Sequence, residues 1–369
     1  MRRALSVGLA VLVGLGVLAA IVVSISGRFK GAAAGPSNVV LVNGVIGSEK
    51  QPFFDDPEVK AALRSHGYDV HVDTAGSRQI ATTTDLTRYD FAFPAGVTAA
   101  EKIKRDRKVT AAYEPFYSPM VVASFKPLAD LLAAQNPPVV TASGGSYNLN
   151  LKAYLDLVAQ NKRWTDLPNN TVYPASKAIL ISSTDVRTSN SAASYLAIAS
   201  YVANGNNIVQ DQDQANKVLP TVLPLFLRQG FTETSSAGPF EDYLSIGIGK
   251  TPMVMIYESQ FVARAALKDG SIGKDMVLLY PSPDLLSKHT LVALKPNGDA
   301  VGRLLQNDST LQGLATKYGF RTSNRAAFNQ FATSHGVTVQ DSLANVVDPP
   351  TFEVQEYMIS AIEKKIGGQ

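Results

Sequence analysis

The stretch VTAAYEPFYSPMVVASF, residues 109–125, decides the fold. It is rich in β-branched and aromatic residues, which is typical of a long and largely buried strand. A second apolar stretch, MVLLYPSPDLLSKHTLVAL, spans residues 276–294. We predict that the first stretch leads the chain from one part of the molecule into another and that the second brings it back.

Shorter strands and helices alternate on both sides of these two stretches. The predicted strands are residues 39–42, 68–72, 89–93, 138–140, 178–181 and 252–257. One predicted helix ends at Leu63, and the others span residues 151–161, 191–203, 212–229, 300–317 and 351–365. Such alternation is typical of an α/β fold with a largely parallel sheet, in which ligands bind at the carboxyl ends of the strands.

The N-terminus carries an uncharged run, Ala4 to Gly27, between Arg3 and Arg28. At a helical rise of about 1.5 Å per residue, this run is long enough to cross a bilayer core of about 30 Å. It is also longer than the apolar core of a secretory signal, which has about 7 to 15 residues. We therefore expect residues 1–30 to form an uncleaved signal-anchor or transmembrane helix, followed by a linker at residues 31–37, although small residues in the linker also suit a cleavage site.

Charge and composition exclude several classes of protein. The chain has 34 Lys and Arg against 31 Asp and Glu, and four of the cations lie in the first 37 residues, so the remaining body has a net charge of −1. A body without a concentrated basic face does not suit nucleic-acid binding. The absence of Cys excludes disulfides, thiol nucleophiles, cysteine zinc sites and a lipid-modified N-terminal cysteine. The length predicts a body of about two domains.

Three loops that follow predicted strands combine small hydroxyl residues with a cation before a helix: Gly47–Lys50, Gly76–Arg78 and Ser182–Ser191. Glycine lets the backbone approach a ligand, and a helix N-terminus offers unpaired N–H groups and a positive dipole end. Such loops suit a small anionic or strongly polar ligand, but the same residue types also occur as ordinary helix N-caps. Tyr257 and Glu258, at the end of a predicted strand, place a phenol and a carboxylate near the same edge; packing in the core is the alternative.

The sequence offers little for catalysis or for a metal. The four His residues have no metal-ligand spacing, and the chain contains no G-x-S-x-G, H-x-x-x-H or Walker pattern. The triplet Ser146–Asn148 matches one motif of the penicillin-recognising enzymes, but the S-x-x-K of this chain comes after it rather than before it. We therefore predict that the protein is not an enzyme and has no cofactor or metal.

Several stretches together resemble the type II extracytoplasmic solute-binding proteins, in particular the branch that binds molybdate, tungstate, sulfate and phosphate. The stretches are the opening strand with its GSEK loop at 47–50, the GSR loop at 76–78, STDVRTSNSAASY from Ser183, GKTPMVMIYES from Gly249 and LQGLATKYGFRTSN ending at Asn324. The last is the most specific, because a helix that leads into Tyr318-Gly-Phe-Arg321 is similar to the closing segment of the family. Here Thr322 replaces the usual Pro.

The resemblance implies an α/β fold of two lobes with two crossover strands, which closes about a hinge onto a ligand. It places the first lobe at residues 38–125 and 280–369 and the second lobe at residues 126–279. The missing lipid-modified Cys departs from the Gram-positive members, and a membrane anchor would replace the lipid.

By position, Ser48 and Ser77 resemble ligand serines of the family, residues 185–191 its second-lobe loop, and Tyr257 the tyrosine that reaches the oxyanion in molybdate binders. The family binds oxyanions mainly with hydroxyl and backbone N–H groups, whereas this chain adds charged side chains, so an organic anion or a ligand with both signs also fits. The predicted ligand-binding residues are Ser48, Glu49, Lys50, Ser77, Arg78, Asp185, Arg187, Ser189, Asn190 and Tyr257.

These features together predict a monomeric, membrane-anchored, extracytoplasmic protein that captures a small anionic solute and delivers it to the permease of an ABC importer. Cleavage of the signal would make the same body a secreted protein. One alternative is the same fold used for sensing or for cell-envelope interaction without a permease, which a permanent anchor favours. A second alternative is an extracytoplasmic enzyme, which requires a nucleophile–base pair in the cleft.

Overall fold

The computed structural model describes residues 39–229, 233–343 and 345–367. The predicted anchor and linker lie outside these residues. The described strands, numbered in chain order, are β1 Val40–Ile46, β2 Tyr68–Thr74, β3 Phe91–Phe93, β4 Ala112–Phe125, β5 Val140–Ser143, β6 Ser146–Asn150, β7 Val254–Tyr257, β8 Met276–Ser282, β9 Asp284–Ala293 and β10 Val346–Val347.

The described α-helices are numbered in the same way. They are α1 Gln51–Asp55, α2 Pro57–Ser65, α3 Ser77–Thr82, α4 Val97–Arg107, α5 Lys126–Ala133, α6 Leu151–Ala159, α7 Asn190–Ala203, α8 Gln212–Leu227, α9 Ala237–Ser245, α10 Glu258–Ala266, α11 Pro296–Asn307, α12 Ser309–Lys317, α13 Arg325–Ser334 and α14 Phe352–Ile366.

The strands form a sheet in the order β2-β1-β3-β9-β4-β8-β6-β5, with β10 beside β9 and β7 beside β4. The long strand β4 belongs to two parts of this sheet, because its residues 112–119 pair with β9 and its residues 120–125 pair with β7 and β8. We call the part with β1–β3 and β9 the first half of the sheet and the part with β5–β8 the second half. The long strand predicted over residues 109–125 is therefore present and connects the two halves.

The return stretch, residues 276–294, is two strands rather than the single strand that we predicted. β8 pairs within the second half and β9 within the first, and Pro283 lies between them. Proline has no N–H to donate to a strand ladder, so the pairing ends there.

Apolar cores cover both faces of each half. In β1, Val42 and Ile46 pack into one core of the first half, and Val45 packs into the other. In β4, Met120 and Val121 likewise enter different cores of the second half. Strands buried on both faces are apolar at successive positions rather than at alternate ones, which is the pattern that the sequence carries.

Residues 178–181 are not a strand, although their apolar composition predicts one. Ile179 and Ile181 are buried, but the Ile179 N–H donates to the carbonyl of Lys162 at 3.0 Å, and the Ile181 N–H donates to the Tyr154 hydroxyl at 3.0 Å. Because a loop and a side chain satisfy these backbone groups, the segment forms no strand ladder.

The helices also differ from the prediction in two places. Residues 300–317 contain two helices, because Asp308 ends α11 and its side chain caps α12 by accepting the Leu311 N–H. The closing helix α14 buries its apolar side, Val354, Met358 and Ile362, in a core of the second half. This helix belongs to the segment predicted for the first lobe, and its apolar face packs on the second half of the sheet.

Candidate functional site

The first predicted loop forms a 3-10 turn directly after β1. Ser48 is exposed, whereas Lys50 is fully buried. The Lys50 ammonium forms an ion pair with Glu49 and lies 3.1 Å from Nδ1 of His289. It also lies 4.8 Å from the centre of the Phe93 ring. A buried ammonium is tolerated when it is paired, so this cluster neutralises Lys50 within the protein.

Burial and charge pairing set the ionisation of this cluster. Burial disfavours the charged form of Glu49, but the Lys50 charge and the His289 contact oppose burial and leave the pKa of Glu49 well below its usual range. Burial, together with the Lys50 charge, lowers the pKa of His289 to about 4. At pH 7 Glu49 is therefore ionised and His289 is neutral.

Tyr257 connects this cluster to the second half of the sheet. It ends β7, is 2% exposed, and has its ring centre 5.9 Å from that of His289. Its hydroxyl accepts a hydrogen bond from Nδ2 of Asn190 at 3.1 Å. Burial raises the pKa of Tyr257 far above its usual range, and the negative charge of Glu49 adds to this effect, so the phenol stays protonated.

Two glycines let the loops of the two halves touch. A Cβ on Gly76 would lie 2.3 Å from the carbonyl oxygen of Thr188, and a Cβ on Gly96 would lie 2.4 Å from Oδ1 of Asn190. A side chain at Gly76 would therefore collide with the loop before α7, and one at Gly96 with the first residue of α7. The second predicted loop and the third meet directly because glycine has no Cβ.

The predicted serines of these loops bind neighbouring protein groups. Oγ of Ser77 accepts the Ala95 N–H at 2.9 Å, and Oγ of Ser189 lies 2.9 Å from Oγ of Ser191. The Ser191 hydroxyl in turn lies 2.8 Å from that of Thr184. Ser77 therefore ties its loop to the segment after β3, while Ser189, Ser191 and Thr184 hold the third loop together.

The two predicted arginines also have partners inside the protein. Nε of Arg78 donates to both carboxylate oxygens of Glu356 at 2.7 and 2.9 Å, and Nη1 of Arg78 donates to the carbonyl of Arg187 at 3.1 Å. The Arg187 guanidinium donates to Asp185 at 2.6–3.0 Å. Hydrogen bonding to Glu356 raises the pKa of Arg78 above its usual range, and hydrogen bonding to Asp185 does the same for Arg187.

The structure thus brings the predicted residues together along one contact line between the halves. Each predicted cation has a carboxylate partner on this line: Lys50 with Glu49, Arg78 with Glu356, and Arg187 with Asp185. An anion that bound here would compete with these carboxylates. The anionic solute stays a prediction.

A cavity of about 820 Å³ opens beside the contact line, between residues 48–58 and the helices α9 and α10. Its volume lies within the range of about 300–1,000 Å³ that is usual for small-molecule sites. Of the predicted residues, Ser48 and Glu49 line it. Oγ of Ser48 lies 3.4 Å from Oγ of Ser235, so hydroxyl groups from both sides of the cavity meet.

Most of the cavity lining was not predicted from the sequence. The unpredicted lining residues include Ser235, Ser236, Phe240, Ser259, Gln260 and Tyr318. The two serines precede α9 and look like ordinary helix caps in the sequence. Tyr318 belongs to the motif on which the family resemblance depends. That motif could therefore have indicated Tyr318 as a residue of the site.

The sequence suggested that Glu258 and Tyr257 face the same crevice. In the structure they do not. Glu258 is fully buried, and both its oxygens bind the Arg321 guanidinium, at 2.6 and 2.8 Å. The Tyr280 hydroxyl donates to the same carboxylate at 2.5 Å. Burial opposes the charge of Arg321, but the contact with Glu258 outweighs burial and raises the pKa of Arg321. This pair is part of the framework behind the cavity.

In the part of the chain that the structure describes, no three His, Asp or Glu side chains form a group that could hold a metal ion. None of the helices in that part combines the length and apolar character needed to span a membrane. The predicted anchor, residues 1–30, falls outside the described residues.

No protein-family model and no curated protein match this sequence. Its fold does match solved structures of solute-binding proteins. A periplasmic thiamin binding protein aligns over 91% of this chain and 99% of its own, with 12% identity and a TM-score of 0.54. Iron-bound HitA from Pseudomonas aeruginosa aligns over 89% and 99%, with 12% identity and a TM-score of 0.53. The sulfate-binding protein SubI from Mycobacterium tuberculosis H37Rv aligns over 82% and 93%, with 17% identity and a TM-score of 0.47.

The chain therefore has the fold of the type II extracytoplasmic solute-binding proteins, as its sequence motifs indicated. The thiamin protein is described as a binding protein, and HitA as iron-bound. At these identities the likeness establishes the fold alone.

Proposed function

We propose that this protein is the solute-binding component of an ABC importer and that it holds a small solute between the two halves of its sheet. The cavity of about 820 Å³ at their junction carries the proposal. It lies beside loops of both halves, and the chain crosses from one half to the other twice, along β4 and at Pro283 between β8 and β9. Bending of these strands would open and close the cavity, as in other hinged binding proteins.

We also propose two lobes on either side of this cavity. We assign residues 38–125 and 280–369 to the first lobe and residues 126–279 to the second, with α14 bridging both. Ser48 and Glu49 would contact the solute, and Asn190 and Tyr257 would form the wall behind them. The paired residues of the contact line, Lys50, Ser77, Arg78, Asp185, Arg187 and Ser189, would hold the lobes in the closed arrangement.

Two observations bear on the charge of the solute. The sequence predicts an anion, which Ser48 and Ser235 could bind as neutral hydroxyl donors. The pairing of all three predicted cations with carboxylates weakens the electrostatic case for an anion. The protein would work outside the cytoplasm as a monomer, held to the membrane by residues 1–30, and would pass its solute to a permease without chemical change.

A thermal-shift screen of the full chain in a neutral detergent tests the proposal. The panel contains molybdate, tungstate, sulfate, phosphate, sugars, amino acids, organic acids and organic amines. A ligand at a hundred times its Kd stabilises the folded state by about 2.7 kcal/mol, which raises Tm by a few degrees. We expect at least one compound to do so, and we expect Ser48→Ala to weaken the shift while Ser65→Ala, a change of an exposed serine on α2, leaves it unchanged.

A screen without any stabilising compound would count against a solute site. It would favour the alternative in which the same fold serves sensing or envelope interaction. Absence of genes for a permease and an ATPase beside the gene of this protein would favour a sensing role over transport.

A further inference from the structure

The cavity between the lobes is much larger than an inorganic oxyanion. Its volume is about 820 Å³, whereas a water molecule in the liquid occupies about 30 Å³ and a five-atom oxyanion only a few times more. Much of the lining is apolar or aromatic and includes Pro52, Phe240, Ala263, Leu267 and Tyr318. Such walls stabilise a ligand by taking apolar surface out of water. The cavity therefore suits a solute with an organic body.

Carboxylates outnumber cations among the described residues that line the cavity. The carboxylates are Glu49, Asp55, Asp56, Glu58 and Glu241, and the cations are Arg264 and Lys317. Both cations are already paired with lining carboxylates: Lys317 lies 2.8 Å from Glu58, and Arg264 lies 3.1 Å from Glu241. Glu49 is paired with Lys50 behind the wall. A solute anion would therefore find no unpaired cation among these residues.

The surplus negative charge lies on Asp55 and Asp56. Oδ2 of Asp56 accepts the Tyr318 hydroxyl at 2.6 Å, and Oδ1 accepts the Glu58 N–H at the start of α2. Although burial disfavours the charge of Asp56, these hydrogen bonds lower its pKa, so the carboxylate is ionised at pH 7. Asp55 has only a loose contact, 3.7 Å, with the exposed Lys60. Exposed pairs of this kind interact weakly.

We propose that the cavity takes an organic cation, with an apolar body between Phe240 and Tyr318 and a protonated or quaternary amine near Asp55 and Asp56. This inference rests on the proposed function and replaces its anionic solute. Negative charge at the mouth of a low-dielectric cleft concentrates cations, and aromatic faces attract them further. Arg264 and Lys317, which are paired with lining carboxylates, then stabilise the walls of the cavity and do not bind the solute.

A series of probes that share one apolar body tests the charge directly. Phenylethylamine, 2-phenylethanol and phenylacetate carry a positive, a neutral and a negative group on the same ring. Their affinities for the full chain are measured by ligand-observed NMR at pH 7. We expect the amine to bind about tenfold more tightly than the alcohol and the carboxylate to bind most weakly.

A variant of the exposed residue Asp55 tests the role of the carboxylate. Asp55→Asn should weaken binding of the amine roughly two- to fivefold without affecting binding of the alcohol.

A matched pair of variants tests the location. Ala263 lies on the cavity side of α10 and is partly exposed, so Ala263→Trp fills the cavity without disturbing a core. Ala61→Trp adds the same side chain to the exposed surface of α2, outside the cavity. We expect the first variant to abolish binding of the amine and the second to leave it intact, with unchanged circular dichroism in both.

The outcomes separate this inference from the proposed function. Equal or tighter binding of phenylacetate overturns the inference and leaves the solute-binding function standing. The same conclusion follows if no organic amine binds while another class of compound in the broad screen does, or if Ala263→Trp leaves amine binding intact. Failure of every probe and of the whole screen overturns both.

Discussion

At the scale of single residues, burial decides the chemistry of the first loop. Lys50 and His289 are both fully buried, and Glu49 is largely so. In the sequence, Glu49 and Lys50 look like exposed charged residues of a ligand loop. In the structure they form a closed ion pair against His289, and Ser48 is the neighbour that stays accessible.

The neutral His289 makes the stability of the protein depend on pH. Its pKa is about 4 in the folded state and about 6.5 in the unfolded chain, so between these pH values only the unfolded chain binds the proton. The free energy of unfolding should therefore fall by about 3 kcal/mol as the pH is lowered from 6.5 to 4, with no contribution from this group above 6.5. The lowered pKa of Glu49 adds to the loss below about 4.5.

Urea denaturation of the wild type and of His289→Gln between pH 7 and 4 measures this dependence. The variant should be less stable at pH 7 because it loses the contact with Lys50. Its stability should also change less between pH 6.5 and 4. Parallel pH profiles for the two proteins would contradict the assignment.

The close approach of Gly76 to Thr188 gives a prediction about the contact between the proposed lobes. The φ of Gly76, −63°, is open to any residue, so Gly76→Ala costs energy only through the collision of the new Cβ with the Thr188 carbonyl. A backbone atom cannot move aside cheaply, and we expect a loss of about 1–3 kcal/mol in chemical denaturation. In Gly313→Ala, on α12, the new Cβ has nothing within 4 Å, and this control should gain about 0.5–1 kcal/mol. Equal effects of the two substitutions would show that the lobe contact is not tight.

At the scale of elements, α14 contacts both of the proposed lobes. Its apolar side packs against α7 and α8, while charged groups of its first turns reach the first lobe. Glu353 pairs with Arg105 on α4, and Glu356 pairs with Arg78 on α3. Phe352 lies under Lys102 with 5.2 Å between the ammonium and the ring centre. Opening of the lobes would have to break these contacts.

We expect neutralisation of these carboxylates to favour the open form. The chain has no Cys, so fluorescent labels at Thr83→Cys and Lys217→Cys, one in each lobe, report the distance between the lobes without background. The double variant Glu353→Gln/Glu356→Gln should lengthen the mean distance without ligand, and high salt should lengthen it in the wild type because it screens these pairs. Glu101→Gln removes a pair within α4 and is the control. An unchanged distance in the double variant would show that α14 does not restrain opening.

At the scale of the whole molecule, the buried pair of Arg321 and Glu258 lies where the halves of the sheet join. The backbone of Arg321 pairs with Tyr117 on β4 through two hydrogen bonds of 2.9 Å. One residue further along β4, Oγ of Ser118 accepts the Ser259 N–H at 3.0 Å. The pair therefore connects the crossing strand, the start of α10 and the segment after α12.

Removal of one member of this pair should be far more harmful than removal of both. Arg321→Met leaves a carboxylate that is 0% exposed without its cation, and we expect a loss of about 3–5 kcal/mol of unfolding free energy. The double variant Arg321→Met/Glu258→Met should recover much of this loss, because it leaves no buried charge. Chemical denaturation of the two variants measures the difference. Equal losses would mean that the guanidinium acts through its other contacts and not through the ion pair.

The fold could largely be predicted from the sequence where the pattern is local. Residues 109–125 are apolar at successive positions, which is the mark of a strand buried on both faces, and β4 is such a strand. A prediction was wrong where groups distant in the chain accept the backbone hydrogen bonds that a strand would make with its neighbour. Residues 178–181 have the composition of a strand, but the Tyr154 hydroxyl and the Lys162 carbonyl satisfy their N–H groups.

The sequence by itself determined the α/β character of the fold, the long crossing strand and the positions of the three predicted loops, because each depends on residues close together in the chain. Only the tertiary structure decided what the side chains of those loops do. In the sequence, Arg78 is a candidate ligand residue. In the structure its guanidinium binds Glu356, which lies 278 positions later in the chain. The cavity likewise depends on α9, α10 and Tyr318, which are far from Ser48 in sequence. Charge pairing and cavity shape depend on distances in space, and these follow from packing of the whole chain.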